Sequence, residues 1–326
     1  MQEHQMASAR ERKGALTSSS DLLAGADVSL KTTGLQKDAQ EPRRSVFDSA
    51  IVRLVLLVGA IRSTQLGWVA LITRALHTDV RDLFSLPVWV LLPWLPLATV
   101  SAFLVYWIGV HLMERREVRE LALVDAARYL PIGALGAFIL FAAIICLLWV
   151  QGWATYVGYA GSKSIASAAM IFLAGVTFEE LIYRGAIFRI VEEGFGTTVA
   201  LALSGLLFGL SHLGNNAATL ASALSIAVAG GITFGLIYTL TRSLWLPIGV
   251  HFGWNFAQGA LFGAPVSGYQ LQGALRFSFS GPTWVTGGVF GPEASIYTIV
   301  FGIVFALGFG ELVRRRGHWT PVRFRL

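Results

Sequence analysis

The sequence predicts an all-α fold, a polytopic membrane bundle of seven to eight transmembrane helices. Three observations predict it. Of 326 residues, 55% are hydrophobic and only 13% are charged, against about 25% charge in a soluble domain. The aromatic share is 12%, with 10 Trp. The apolar residues are gathered into runs near the ~20 residues that a helix needs to span a bilayer. So little charge cannot cover a water-facing surface, which excludes a soluble enzyme, a disordered chain and a collagen-like fibre.

In chain order, residues 1–45 are polar and charged, with no apolar core of a signal peptide. They predict a disordered cytoplasmic tail, because their composition cannot bury a core. The membrane-embedded domain then covers 46–326. The first apolar run, 54–73, carries Arg62 near its middle, at a cost of about 2.5–3.5 kcal/mol on insertion scales. A helix lying in the interface is the alternative for it. Run 87–110 is clean, with Pro87, Pro93 and Pro96 near its start, and 130–150 is clean. Run 165–190 holds Glu179, Glu180, Arg184 and Arg189 in its second half. Run 198–213 is short, and 220–240 is rich in glycine. Its Gly231–Gly235 spacing reads as close helix packing. Run 244–262 carries His251 and Asn255, and 295–313 closes the series. The long connection 263–293 reads as an ordered extracytoplasmic loop without assigned chemistry. The single cysteine, Cys146, excludes an internal disulfide framework and reads as a small buried hydrophobe.

The net charge of +6 does not point to nucleic acid, because the basic residues sit in short clusters between apolar runs. Arg115, Arg116, Arg119 and Arg128 form one cluster, Arg184 and Arg189 a second, and Arg314, Arg315 and Arg316 a third, with Arg242 alone. Every second connection is basic, and the alternate ones hold Lys163 and Arg276. The positive-inside rule then places the basic loops and both termini in the cytoplasm of a multi-pass cell-membrane protein. Cytoplasmic Arg43 and Arg44 favour a spanning 54–73, and so eight helices.

Charge inside the runs is scarce. Between Tyr129 and Pro292 the acidic residues are two pairs, Glu179–Glu180 and Glu192–Glu193. The second pair precedes glycines and reads as a solvated helix end. The first lies in apolar helix. Positions four apart share a helix face, so Glu180 faces Arg184 and Glu179 faces Tyr183. One carboxylate has a built-in cation, and the other needs a partner on another helix. Ionisable groups within a membrane are functional by default. His212 follows Phe208 by four residues, where the ring can pack the imidazole, and His251 precedes Asn255 by four.

Two chemistries fit this set. In the first, Glu179 and His212 activate a water that attacks a peptide carbonyl, and His251 and Asn255 donate to the oxyanion. In the second, Glu179, His212 and His251 ligate zinc, whose water attacks. The zinc-peptidase His-Glu-x-x-His pattern is absent and Asn is a poor zinc ligand, which favours the metal-free route without a cofactor. Glu180, Arg184, Phe208 and Tyr183 are supporting residues. Partners are a protein or peptide substrate at the membrane, lipidated or not, and the bilayer. A non-catalytic immunity or binding protein is the competing class. A proton-linked transporter would show paired halves with broken helices, and no such symmetry is visible.

In this order and in apolar helices, Glu179-Glu180-xxx-Arg184, Phe208-xxx-His212 and His251-xxx-Asn255 resemble the three motifs of the CPBP family. That family comprises CAAX prenyl proteases of the Rce1 type and bacteriocin-processing and immunity-associated proteins. The resemblance covers residues 87–313. It implies an intramembrane endopeptidase of glutamate type with a cavity open toward the cytoplasm. It also implies that Glu179 and His212 activate water, that His251 and Asn255 form the oxyanion site, and that Glu180 and Arg184 support them. One difficulty concerns depth. His212 lies about 20 Å along its helix and His251 about 10 Å along its own, at 1.5 Å per residue. An early start, a tilt or a break near residues 209–214 would reconcile them.

Overall fold

The computed structural model describes residues 49–323, and the expected tail over 1–45 lies outside them. Every apolar run folds as helix. Seven helices are long and apolar enough to cross a membrane, by length and composition. They are α1 (Ala50–Ala75), α2 (Val88–Glu114), α3 (Leu123–Val150), α4 (Ile165–Phe195), α5 (Thr197–Gly214, its last turn 3₁₀), α6 (Leu220–Thr241) and, after one further helix, α8 (Ile296–Arg315). That further helix, α7, is the α-helical Trp245–Asn255 continued by a π turn, Phe256–Leu261. The chain is thus a multi-pass membrane protein. Run 54–73 is part of α1, a rod of 26 residues capped by Ser49. Pro93 and Pro96 lack the amide hydrogen that a helix interior uses. Accordingly α2 opens as a separate turn, Val88–Leu91, before the continuous Leu95–Glu114.

Two helices form the centre. In α4 and α6 more than half of the apolar window is buried (56% and 61%), against 17% in α1 and in α8. Apolar side chains on the outer helices, such as Leu104, Leu135 and Val304, face outward, as expected of a surface that lipid covers. Cys146 shares this outward face of α3 and is not the buried residue that the sequence suggested. Close helix approach rests on glycine. A Cβ on Gly231 of α6 would stand 2.6 Å from Gly205 Cα of α5, and one on Gly235 would stand 2.8 Å from Leu201.

The helices alternate in direction, so the bundle has two ends. One end is held by ions. Arg189 of α4 donates to Glu114 at 2.6 Å and to Glu193 at 2.8 Å, and Arg116 donates to Glu120 at 2.6 Å. The Tyr106 hydroxyl links Glu120 (2.6 Å) to the Gly185 carbonyl (3.1 Å). Burial pushes the Glu120 carboxyl up, but the hydrogen bonds from Arg116 and Tyr106 more than reverse this and hold it low. Glu192 is not solvated as expected. It is buried, accepts from the Thr197 hydroxyl at 2.7 Å and pairs with Arg242. Glu193 does stay half-exposed.

The opposite end is closed by loops. The connection 263–293 is ordered, and it adds a small two-stranded antiparallel sheet to a helical fold. Strand β1 (Ala154–Tyr159) pairs with β2 (Leu275–Phe279), Tyr156 opposite Phe277. The same connection ends in a 3₁₀ turn, Pro292–Ala294, just before α8.

A candidate active site between α4, α5 and α7

The site begins with a change of helix type. α4 is α-helical through Glu180 and then widens into a π turn over Leu181–Phe188. Such π bulges are rare and recur at functional sites. The turn sets Glu180 and Arg184 face to face, with Arg184 Nη1 donating to Glu180 Oε1 at 2.9 Å. Both side chains are fully buried. A second π turn, Ala227–Ile232 in α6, brings two backbone carbonyl oxygens to the same cation. Arg184 Nη2 donates to Gly230 O (2.9 Å) and Gly231 O (3.3 Å). The guanidinium also lies over Phe208 (4.4 Å) and Phe234 (5.0 Å), a cation–π arrangement that gains strength away from water. Phe208 can come this close because position 230 is glycine. A Cβ there would stand 2.9 Å from the ring.

His251 joins both carboxylates. Its Nδ1 lies 2.8 Å from Glu180 Oε1, and its Nε2 lies 3.8 Å from Glu179 Oε2. An ionised carboxylate only accepts hydrogen bonds, so Nδ1 carries a proton toward Glu180. The two glutamates therefore differ as their spacing implied. Glu180 is fully buried between Arg184 and His251, whereas the Glu179 side chain keeps 32% of its surface exposed. Glu179 finds its interhelical neighbour in His251.

His212 sits where α5 ends as an α-helix at Ser211 and tightens into the 3₁₀ turn His212–Gly214. This is the break expected near 209–214. His212 Nδ1 lies 2.8 Å from the Phe208 carbonyl. A carbonyl only accepts, so Nδ1 donates and Nε2 keeps its lone pair. The Phe208 ring touches His212 (5.0 Å), His251 (5.8 Å) and Tyr183 (5.0 Å).

Glu179, His212, His251, Asn255 and Tyr183 all line one cavity of about 790 Å³. The structure thus assembles the predicted set, with Glu180 and Arg184 immediately behind it. Among the described residues, no three His, Cys, Asp or Glu side chains are grouped so as to hold a metal ion.

Two further residues escaped the sequence reading as parts of the site. Arg62 of α1, met there only as an insertion cost, lines the cavity. Glu293 lines a smaller pocket of about 60 Å³, shared with Phe208, His212, His251 and Asn255. Its carboxylate accepts from the Ser267 amide. Burial pushes the carboxyl up to about 7. The connection 263–293, read as lacking chemistry, therefore delivers a buried acid to the site. The signal was the acid directly after Pro292, in a stretch where acids are scarce.

Residues 161–257 match the family model described as Type II CAAX prenyl endopeptidase Rce1-like. That segment, less than half of the chain, is similar to this family. The match contains all three motifs, from Glu179 to Asn255, and so covers the whole side-chain set gathered at the cavity. Arg62 and Glu293 lie outside the Rce1-like segment. Comparison with curated proteins and with solved structures gives no match.

Proposed function

We propose that the protein is a glutamate-type intramembrane endopeptidase that cleaves a membrane-anchored protein or peptide. One observation carries this reading. Of two adjacent carboxylates, one is locked by Arg184 and His251, while the other faces the cavity beside a histidine. A locked carboxylate holds geometry. A cavity-facing one can exchange protons.

In the mechanism, a water between Glu179 and His212 gives one proton to Glu179. The Nε2 lone pair of His212 accepts a hydrogen bond from the second hydrogen and orients the water. The oxygen attacks the scissile carbonyl carbon. The developing oxyanion accepts hydrogen bonds from the Asn255 amide and from His251 Nε2. For His251 to donate there, its ring must carry both protons, with Nδ1 donating to Glu180. Glu179 then returns its proton to the amine as the C–N bond breaks. General acid–base catalysis of this kind contributes about 10²–10⁴-fold, and preorganised donors at the oxyanion supply a further large share. The reaction needs no metal or cofactor.

The basic clusters support a cell-membrane location with both termini in the cytoplasm. The substrate is a membrane-anchored or lipidated chain, met within the bilayer. Comparing the termini of membrane proteins from cells with wild-type protein and with Glu179→Gln tests the function. The expected result is a set of new termini present only with the wild type. Identical termini in both, at equal expression, would leave a non-catalytic membrane partner as the reading.

A further inference from the structure

Glu293 is a buried acid without a cation. Glu120, Glu180 and Glu192, buried like it, each pair with an arginine. Among the described residues Glu293 forms no ion pair. A buried ionisable group that lines a cleft without a counter-charge is a candidate for function. Glu293 is nevertheless held from several sides. Its backbone carbonyl accepts from the Ser225 hydroxyl of α6 at 2.6 Å. The preceding Pro292 carbonyl accepts from the Thr298 hydroxyl of α8 at 2.8 Å. Its carboxyl accepts from the Ser267 amide and is hydrogen-bonded to the Gln258 side chain of α7.

Gln258 is the second unusual group. It lies in the π turn that continues α7, three residues beyond Asn255, and is fully buried. The connection 263–293 begins by folding over it. Ala264 N donates to the Gln258 carbonyl at 2.9 Å, and Gln258 Nε2 donates to the Pro265 carbonyl. The end of the connection passes as close, since a Cβ on Gly291 would stand 2.9 Å from that Nε2. Gln258 Oε1 is buried without a hydrogen-bond partner, which is a costly state. A carboxylate only accepts and cannot satisfy it, whereas a protonated carboxyl carries one O–H donor. His212, His251 and Asn255 line both the large cavity, which holds Glu179, and the 60 Å³ pocket, which holds Glu293. The small pocket has room for a few water molecules and not for a peptide. The titratable groups that line it with Glu293 are His212 of α5 and His251 of α7. What lines it from α6, α8 and the connection is otherwise uncharged.

We propose that Glu293 is a positioning residue for hydrolysis: as a neutral acid it forms a two-point pair with the Gln258 amide, its O–H donating to Oε1 and Nε2 donating to its other oxygen, which clamps the 263–293 connection onto α7 and fixes Asn255 at the oxyanion. This rests on the peptidase reading and extends it beyond the three motifs. Burial raises the Glu293 carboxyl to about 7. The pair is therefore fully present below the ordinary carboxylate range and is lost as pH rises through about 7, when the O–H donor goes.

The test uses full-length wild type, Glu293→Gln and Gln258→Leu in nanodiscs, with two readouts between pH 5 and pH 8. The first is the infrared difference between wild type and Glu293→Gln. It should show the stretch of a protonated carboxyl at pH 5 that fades through about 7 and that moves when Gln258 is Leu. The second is hydrolysis of a reconstituted membrane peptide. Wild-type kcat should fall about tenfold from pH 6 to pH 8 at constant KM, as the neutral fraction does. In Glu293→Gln, whose amide keeps both bonds of the pair at every pH, the ratio of the two rates should be near one. Gln258→Leu should lower kcat by up to about 10²-fold at pH 6 with unchanged melting temperature. A fall that persists in Glu293→Gln would overturn the positioning role. A carboxyl band that does not titrate near 7, or that Gln258→Leu leaves unmoved, would overturn the pair. Absence of cleavage by the wild type would overturn the peptidase reading instead, and the infrared band still decides the pair.

Discussion

At the scale of single residues, helix spacing told much about the site. The four-residue offsets put Arg184 on Glu180 and Phe208 against His212, and both contacts are present. The offset also separated Glu179 from Glu180. Spacing could not show the link between His251 and Glu180, because their residues are 71 apart in sequence and the contact exists only through packing. Nor could it show that Phe208 and Phe234 sandwich the guanidinium. The arrangement makes Arg184 costly to remove. Arg184→Met leaves Glu180 buried without its cation, and losing one partner of a buried pair costs about 3–5 kcal/mol. The unfolding midpoint should fall accordingly. Adding Glu180→Gln should restore part of it, since the stranded charge is then gone. A double variant less stable than Arg184→Met alone would contradict this account of the pair.

At the scale of elements, hydropathy located every long helix but not the π turns at Leu181–Phe188, Ala227–Ile232 and Phe256–Leu261. A π turn changes hydrogen-bond register, not polarity, so an apolar run conceals it. The Gly231–Gly235 packing was legible because small residues leave a mark in sequence. Gly231→Val should overpack the contact of α6 with Gly205 and cost about 1–3 kcal/mol. Gly136→Ala, where a Cβ meets nothing within 4 Å, should be neutral by the same unfolding measurement. The chemistry of the 263–293 connection was hidden, since a loop's fold depends on what it docks against. Glu293 makes that docking sensitive to pH. Its carboxyl is raised by burial to about 7, so the docked loop favours the protonated form. That stabilisation is fully present below the ordinary carboxylate range and is lost as pH rises through about 7. Amide exchange over 263–293 should therefore quicken between pH 5 and pH 8. In Glu293→Gln it should change only by the intrinsic pH dependence of exchange. A wild type that behaves like the variant would remove the role of Glu293.

At the scale of the whole molecule, the alternation of basic and weakly charged connections matches the two ends of the bundle. Arg116, Arg189, Arg242 and Arg314 lie at one end, and Lys163 and Arg276 at the other with Arg74 and Arg81. The cavity extends from Glu179 toward the second end, where Phe84, Val266 and Tyr269 line it. Under the orientation set by the basic clusters, that end is extracytoplasmic, whereas the family resemblance implies a cytoplasmic opening. Thiol labelling decides between them. In a Cys146→Ser background, a cysteine at Ser280 should react in intact cells and one at Gly317 only after permeabilisation. The reverse pattern would invert the bundle and turn the cavity to the cytoplasm. The central claim is narrower than topology: a cavity-facing Glu179 activates water for peptide hydrolysis. Its most direct test is the cleavage rate of one reconstituted membrane peptide by purified wild type and Glu179→Gln, with melting temperatures measured on the same samples. The account predicts a loss of about 10²-fold or more with unchanged melting. Cleavage by the variant at the wild-type rate would contradict it.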